Sequence, residues 1–222
     1  MTRTDSVWLR SDPSPRTRPA LSRQRIVEAA VHLLDRDGIE RLTMRSLAGH
    51  LSVTPTALYW HVKTKEDVLD LAFDHVFADV PVPPSTGDWR ADVRALVRSW
   101  RAAMLRHPWA PSLVGRPALG PNVLARTEFL QAAFVRGGVA GLDLTVKTRL
   151  LANFVIGSAV TEAIWRRADP SAARGRITAD PASYPTLTAS GHLDAGRWSD
   201  DELFERALDA ILTSSDQSKE VR

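Results

Sequence analysis

The sequence predicts an all-α protein, with a small three-helix N-terminal domain followed by a larger helical C-terminal domain. Three observations predict it. Apolar residues recur at helical rather than alternating spacing from Ile26 to Leu212, and no segment reads as a strand of substance. Capping residues stand at the starts of the stripes: Thr43, Thr54 before Pro55, Thr64, and Ser199 with Glu202 three residues on. Prolines and glycines gather between the stripes, above all at Pro81, Pro83, Pro84 and Gly87.

The elements follow in order. Residues 1–20 hold Pro13, Pro15 and Pro19 among Arg, Ser and Thr, and read as a disordered basic arm. Such an arm reaches along a minor groove or is an inert tail; the sequence leaves both open. A first helix starts near Ser22, carries Ile26, Ala30, Leu33 and Leu34 on one face, and stops at Gly38 as at a left-handed C-terminal residue. Thr43 caps a short second helix with Met44, Leu47, Ala48 and Leu51. After a break at Ser52 and Val53, a third opens at Thr54 and Pro55. Thr64 starts a fourth, with Glu66 and Asp67 at its positive end.

Beyond the break, Asp88 begins a helix with Trp89, Val93, Leu96 and Trp100 on one face, ending before Pro108. A helix over about 122–136 is ended by Gly137 and Gly138. The stretch 144–167 is apolar on nearly every side, so it should be buried on both: against its own domain and against a second copy of itself. Residues 168–198 show little periodicity and read as a mobile loop. The last helix, about 200–212, carries Leu203, Ala207, Leu208, Ile211 and Leu212. The organisation is thus an arm over 1–20, a small helical domain over 21–66, a larger helical domain over 67–214, and a disordered tail over 215–222.

Composition narrows the function. The net charge is only +3, yet residues through Lys65 hold eleven cations against six acids, a basic end on a near-neutral body that suits a nucleic-acid partner. With no cysteine, disulfides, thiolate catalysis and Cys-type zinc sites are excluded. No apolar run approaches the ~18 residues of a membrane span, and there is no secretory signal, so a cytoplasmic protein without a membrane partner is expected. The paired acids Asp200-Asp201 and Glu66-Asp67 sit at helix starts, and Gly137-Gly138 ends a helix; nothing singles out an enzyme, a metal site or a cofactor site.

Residues 45–62 read RSLAGHLSVTPTALYWHV. A helix-turn-helix needs a small residue where its helices touch (Ala48), a sharp turn, and apolar residues that lock the angle (Leu47, Leu51, Val53, Leu58). The second helix then offers Thr54, Thr56 and Ala57 to base edges, while Tyr59, His61 and Lys63 or Lys65 hold phosphates.

The stretch 25–73, with T-x-R-x-L-A, TALYWHV and K-T-K-E-D-V-L, resembles the TetR (tetracycline-repressor) family of bacterial regulators. Weaker likeness to the tetracycline-repressor branch continues through DWRADVRALVRSWRAAMLRHPW, the GRP at 115–117 and NFVIGSAVTEA. The resemblance implies an all-helical homodimer, a palindromic double-stranded DNA operator, and release when a small molecule binds the C-terminal core. By position it assigns Thr43 and Arg45 to DNA contact from the second helix. Pro55, Thr56 and Ala57 match base readers, and Tyr59, Trp60, His61 and Lys65 match backbone contacts. Arg45 reads a guanine or holds a phosphate; both stay open.

Three departures matter. Ser52 stands where the family usually has glycine, at about 1 kcal/mol if its φ is positive. Ala57 replaces a polar reader, so the operator should differ. Leu96, Asn153 and Thr161 fall where the drug–magnesium ligands Asn, His and Glu are expected, which argues against tetracycline. The pocket candidates are Leu96, Trp100, Met104, Phe129, Phe134, Asn153, Phe154 and Trp165, aromatic walls with one amide for a largely apolar ligand, against ordinary core packing as the alternative. The competing function is a DNA-binding adaptor with a filled core and no small-molecule inducer. The fourth helix, 64–79, is expected to carry the switch because it alone bridges the two domains.

Overall fold

The computed structural model describes residues 21–113, 120–166, 171–191 and 196–213. The expected arm and tail, and the GRP motif at 115–117, lie outside the described residues. Within them the protein is all helical: α1 (Arg23–Asp37), α2 (Met44–Leu51), α3 (Pro55–Tyr59), α4 (Lys65–Ala78), α5 (Trp89–Arg106), α6 (Pro121–Arg136), α7 (Gly141–Trp165), α8 (Ser171–Ala179), α9 (Pro185–Ser190) and α10 (Asp200–Thr213). Short 3₁₀ turns lie at Ile39–Arg41 and Ala110–Leu113.

Side-chain caps set the starts of the N-terminal helices. The Ser22 hydroxyl accepts from Arg25 N at 3.2 Å. Thr43 and Ser46 exchange bonds at 3.0 and 2.9 Å, a capping box built with serine. Thr54 accepts from Ala57 N at 3.3 Å, and Thr64 and Asp67 form a second reciprocal box. Asp67 also accepts from the Lys63 and Thr64 amides, Lys63's the larger effect, and these bonds hold its carboxyl below the usual carboxylate range. At the end of α1, Gly38 has φ 79° and ψ 174°, so it is positive-φ but extended, not the left-handed residue expected there. Serine at 52 does occupy the left-handed region, φ 56° and ψ 43°.

Ile26, Leu34, Leu47, Ala48 and Leu58 are buried where α1, α2 and α3 meet, which locks the angle of α3. Each of the isoleucine and leucine side chains removed from water contributes about 1.5–3 kcal/mol. The core does not stop there: buried residues from Ile26 to Leu212 form one contiguous cluster. Helix α4 packs on α1 and also on α5 and α6, with Val68, Ala72 and Val76 buried.

In the larger part α5 lies against α6 and α7, and α10 against α7. Arginines one turn apart on α5 meet acids one turn apart on α10: Arg94 to Asp209, Arg98 to Glu205, Arg101 to Asp201. This ladder runs opposite ways along the two helices, as antiparallel packing of α5 and α10 requires. The buried Glu162 of α7 accepts from both Arg101 and Arg166. Asp92, also buried, gathers the Thr86 amide, the Thr86 and Ser85 hydroxyls and Arg136, which pins the proline-rich connection to α5.

One expectation needs correction. The segment read as a loop over 168–198 contains the helices α8 and α9 among its described residues. Neither carries a long apolar stripe, which is why periodicity missed them; the Ala- and Arg-containing run at 171–179 is helical by propensity. Helix α7 packs on its own protomer through α5 and α6, and the face expected to meet a second copy points away from them. Leu142 is 77 % exposed, Ile164 58 %, Val146 50 % and Leu150 47 %, so its outer face stands open in the single chain.

Candidate DNA-reading surface and ligand cavity

The turn at Ser52, closed by Val53 N to Ala48 O at 3.0 Å, sets α3 across α2. Thr43 and Arg45 at the start of α2, and Thr54, Pro55 and Thr56 at the start of α3, are exposed; Ala57 is half-buried behind them. Tyr59 is 51 % and Trp60 85 % exposed, a large aromatic pair turned away from the core. Because the cap bond of Thr54 uses its oxygen as acceptor, the hydroxyl proton remains available. From Arg41 to Lys65 there are four Lys/Arg and no acid, so the exposed surface of α2 and α3 is cationic.

Lys65, expected at the DNA backbone, makes a bond within the chain. It is half-buried, and its Nζ donates to the Ile39 carbonyl at 2.9 Å, tying the start of α4 to the turn after α1. His61 is half-buried, and its carbonyl lies 3.5 Å from Arg23. The exposed cations closest in sequence to α3 are then Arg45 and Lys63.

A cavity of about 300 Å³ opens between α4, α5, α6 and α7. That lies at the lower end of the range for small-molecule sites. Leu96 and Trp100 line it as expected. The other expected pocket residues do not. Met104 and Phe134 are fully buried in the core, with Phe134 edge-on to Trp89. Phe129 packs half-buried against that core, and Phe154 stacks on Phe204 at 4.9 Å. Asn153 is exposed, and half-buried Trp165 is the last residue of α7. Helical geometry is the reason: α7 turns Thr148, Ala152 and Ile156 toward the cavity, and Asn153, one residue on, is rotated about 100° away.

Residues the sequence reading missed complete the walls. Phe73 and Phe77 come from α4, and Phe77 meets Trp100 with ring centroids 5.5 Å apart. Arg126, Thr127 and Leu130 come from α6, and Arg149 from α7. The available signal was the Phe73–Phe77 pair at helical spacing, which continues the apolar face of α4 past the head. Arg126 and Arg149 gave none, since a lone arginine in a helix reads as solvated surface.

Helices α4 and α6 cap one another across the cavity edge. Gly120 opens α6 without a side chain to cap it, and Asp74 of α4 supplies the missing acceptor, taking Val123 N at 3.0 Å and Asn122 Nδ2 at 2.9 Å. A Cβ on Gly120 would lie 2.1 Å from Asp74 Oδ1, so only glycine admits this carboxylate. In return Arg126 of α6 donates to Ala78 O, the last carbonyl of α4, at 3.3 Å and to Val80 O, just past its C-cap, at 2.8 Å.

A second link joins head and body. Asp35 of α1 accepts from Trp109 Nε1 at 2.6 Å and lies 2.8 Å from His107 Nδ1, so α4 is not alone in bridging the two parts.

Residues 26–72 match the family model for bacterial regulatory proteins of the tetR family, and residues 80–214 the tetracyclin repressor-like C-terminal domain. A helix-turn-helix transcriptional regulator of Saccharopolyspora erythraea is 44% identical over 199 residues, 87% of this chain and 84% of its own. The structure of ActR of Streptomyces coelicolor in complex with (S)-DNPA aligns with TM-score 0.75 at 30% identity, over 88% of this chain and 97% of ActR. That of BioQ with its double-stranded DNA operator aligns with TM-score 0.59 at 32% identity, over 67% and 91%. Fold, reading surface and matches together define a helix-turn-helix transcriptional regulator. The chain belongs to the TetR family.

Proposed function

We propose that the protein is a homodimeric repressor that holds a palindromic operator and releases it when a small, largely apolar molecule enters the cavity. The observation that carries this reading is that α4 forms part of the cavity wall through Phe73 and Phe77 and also packs on α1 of the head. A ligand that favours one position of α4 over another therefore biases the spacing of the reading heads, and it must bind the two states unequally to do so. The open cavity favours a sensor over an adaptor with a filled core.

In this reading Thr54, Pro55, Thr56 and Ala57 meet base edges, and Thr43, Arg45, Tyr59, Trp60 and His61 position the head on the backbone. Reading and sensing divide near the start of α4, at about residue 66. The exposed apolar residues of α7 and Leu203 of α10 pack against their copies across a two-fold axis, placing two α3 helices roughly 34–36 Å apart in successive major grooves. ActR, related at 30% identity, has been solved with (S)-DNPA bound, which supports a small-molecule role for this chain's cavity. No catalytic role is proposed for any residue.

The test is binding of the purified protein to labelled duplex from beside its own gene, against scrambled DNA, over a salt series. Saturable binding that survives scrambled competitor and protects a palindrome supports the reading. Loss to scrambled competitor at every genomic site tested overturns it.

A further inference from the structure

Resting on the sensor reading above, we propose that the effector carries an anionic end on its apolar body, and that Arg126 is the residue that reads it. The same guanidinium then leaves the C-terminus of α4, so ligand capture and the anchoring of α4 exclude one another.

The cavity's charge is one-sided. Arg126 and Arg149 line it, and no carboxylate among the described residues does. The Thr127 and Thr148 hydroxyls donate to the carbonyls of Val123 and Leu144 in their own helices, so the charged donors at the wall are the two arginines.

Arg126 is a half-buried cation without an ion pair among the described residues. Its partners are all neutral: Val80 O at 2.8 Å, Ala78 O at 3.3 Å, and the carbonyl and side-chain oxygens of Asn122 at 3.2 and 3.1 Å. A carboxylate adds to the hydrogen bond a full opposite charge that a neutral carbonyl lacks, and takes a guanidinium bidentately where geometry allows. An anion arriving in the cavity therefore outcompetes the carbonyls of α4. Those carbonyls, at a helix terminus, then lose the partner that ties α4 to α6.

The test uses a matched pair of probes, 2-naphthoate and the neutral 2-naphthamide, titrated calorimetrically into the full-length protein at pH 7. Naphthoate should bind about tenfold more tightly. Arg126→Gln should erase that preference, and Arg126→Lys, which keeps the charge, should retain most of it. Arg126→Gln should also weaken operator binding in the absence of any probe, because α4 is already untied. Equal affinity for both probes overturns the anionic end and leaves the sensor reading standing. A preference that survives Arg126→Gln but is lost in Arg149→Gln overturns the role of Arg126. If neither probe binds at millimolar concentration while the protein holds its operator, the anionic-end proposal falls, and the sensor reading is left to its own operator-release test.

Discussion

Asp35 accepts a hydrogen bond from the indole Nε1 of Trp109 at 2.6 Å, a bond that spans the end of α1 and the turn after α5. Trp109 is only 5 % exposed, so its N–H has no ready access to water in place of Asp35. Asp35→Ala should lower unfolding stability by about 1–3 kcal/mol, the cost of a buried donor left without an acceptor. In a Trp109→Phe background the same substitution should cost far less, because the orphan is gone. Thermal or urea unfolding of the four proteins of this cycle measures the coupling.

Asp92 is expected to shape acid stability. Bonds from Thr86, first its amide and then its hydroxyl, with Ser85 and Arg136 adding to them and burial opposing, hold its carboxyl below the ordinary carboxylate range. A depressed native value means the stabilisation is fully present above the unfolded pKa of about 3.9 and is lost as pH falls through the lower native one. Asp92→Asn should be less stable than the parent at neutral pH, with the gap closing below about pH 4. A gap that stays constant down to pH 2 would remove Asp92 from this role.

Ser52 carries a left-handed backbone that its Cβ opposes. Ser52→Gly relieves the strain but raises unfolded-chain entropy, and should stabilise by a net of about 0.5 kcal/mol. Ser52→Val, branched at Cβ, should destabilise by more than 1 kcal/mol by the same sterics, roughly. Denaturant midpoints in the order Gly, Ser, Val check it.

On the reading surface, Thr56→Ala should narrow discrimination at one base pair of each half-site by about 1–3 kcal/mol and leave the salt slope unchanged. His61→Ala should instead weaken binding to all sequences alike. Competition titrations against single-base operator variants separate the two.

The open face of α7 should hold the dimer. Leu150→Arg places a charge on a residue now 47 % exposed, so the isolated protomer should fold normally. Sedimentation should then report a monomer, with operator affinity reduced at least tenfold by loss of the second head. A variant that remains dimeric would move the interface elsewhere.

Local chemistry made much of this protein legible in its sequence. Thr43, Thr54, Thr64 and Ser199 cap helices because each hydroxyl meets the amide three residues on, a bond that the sequence alone specifies. The same holds for the apolar stripes of α1, α5 and α10, and for the reading head, whose small residue, turn and exposed threonines lie within twenty residues.

What the tertiary structure decided lies between elements distant along the chain. The side of α7 that faces the cavity rests on how α7 meets α5 and α6, and a rotation of one residue separates Ala152 in the wall from Asn153 outside it. Asp74 caps a helix whose N-cap, Gly120, lies 46 residues later and makes room for it, and Arg126 answers by capping the helix that Asp74 belongs to. Periodicity assigns a residue to a face of its own helix; only packing assigns that face a neighbour, because burial is a property of two surfaces and a stripe records one of them.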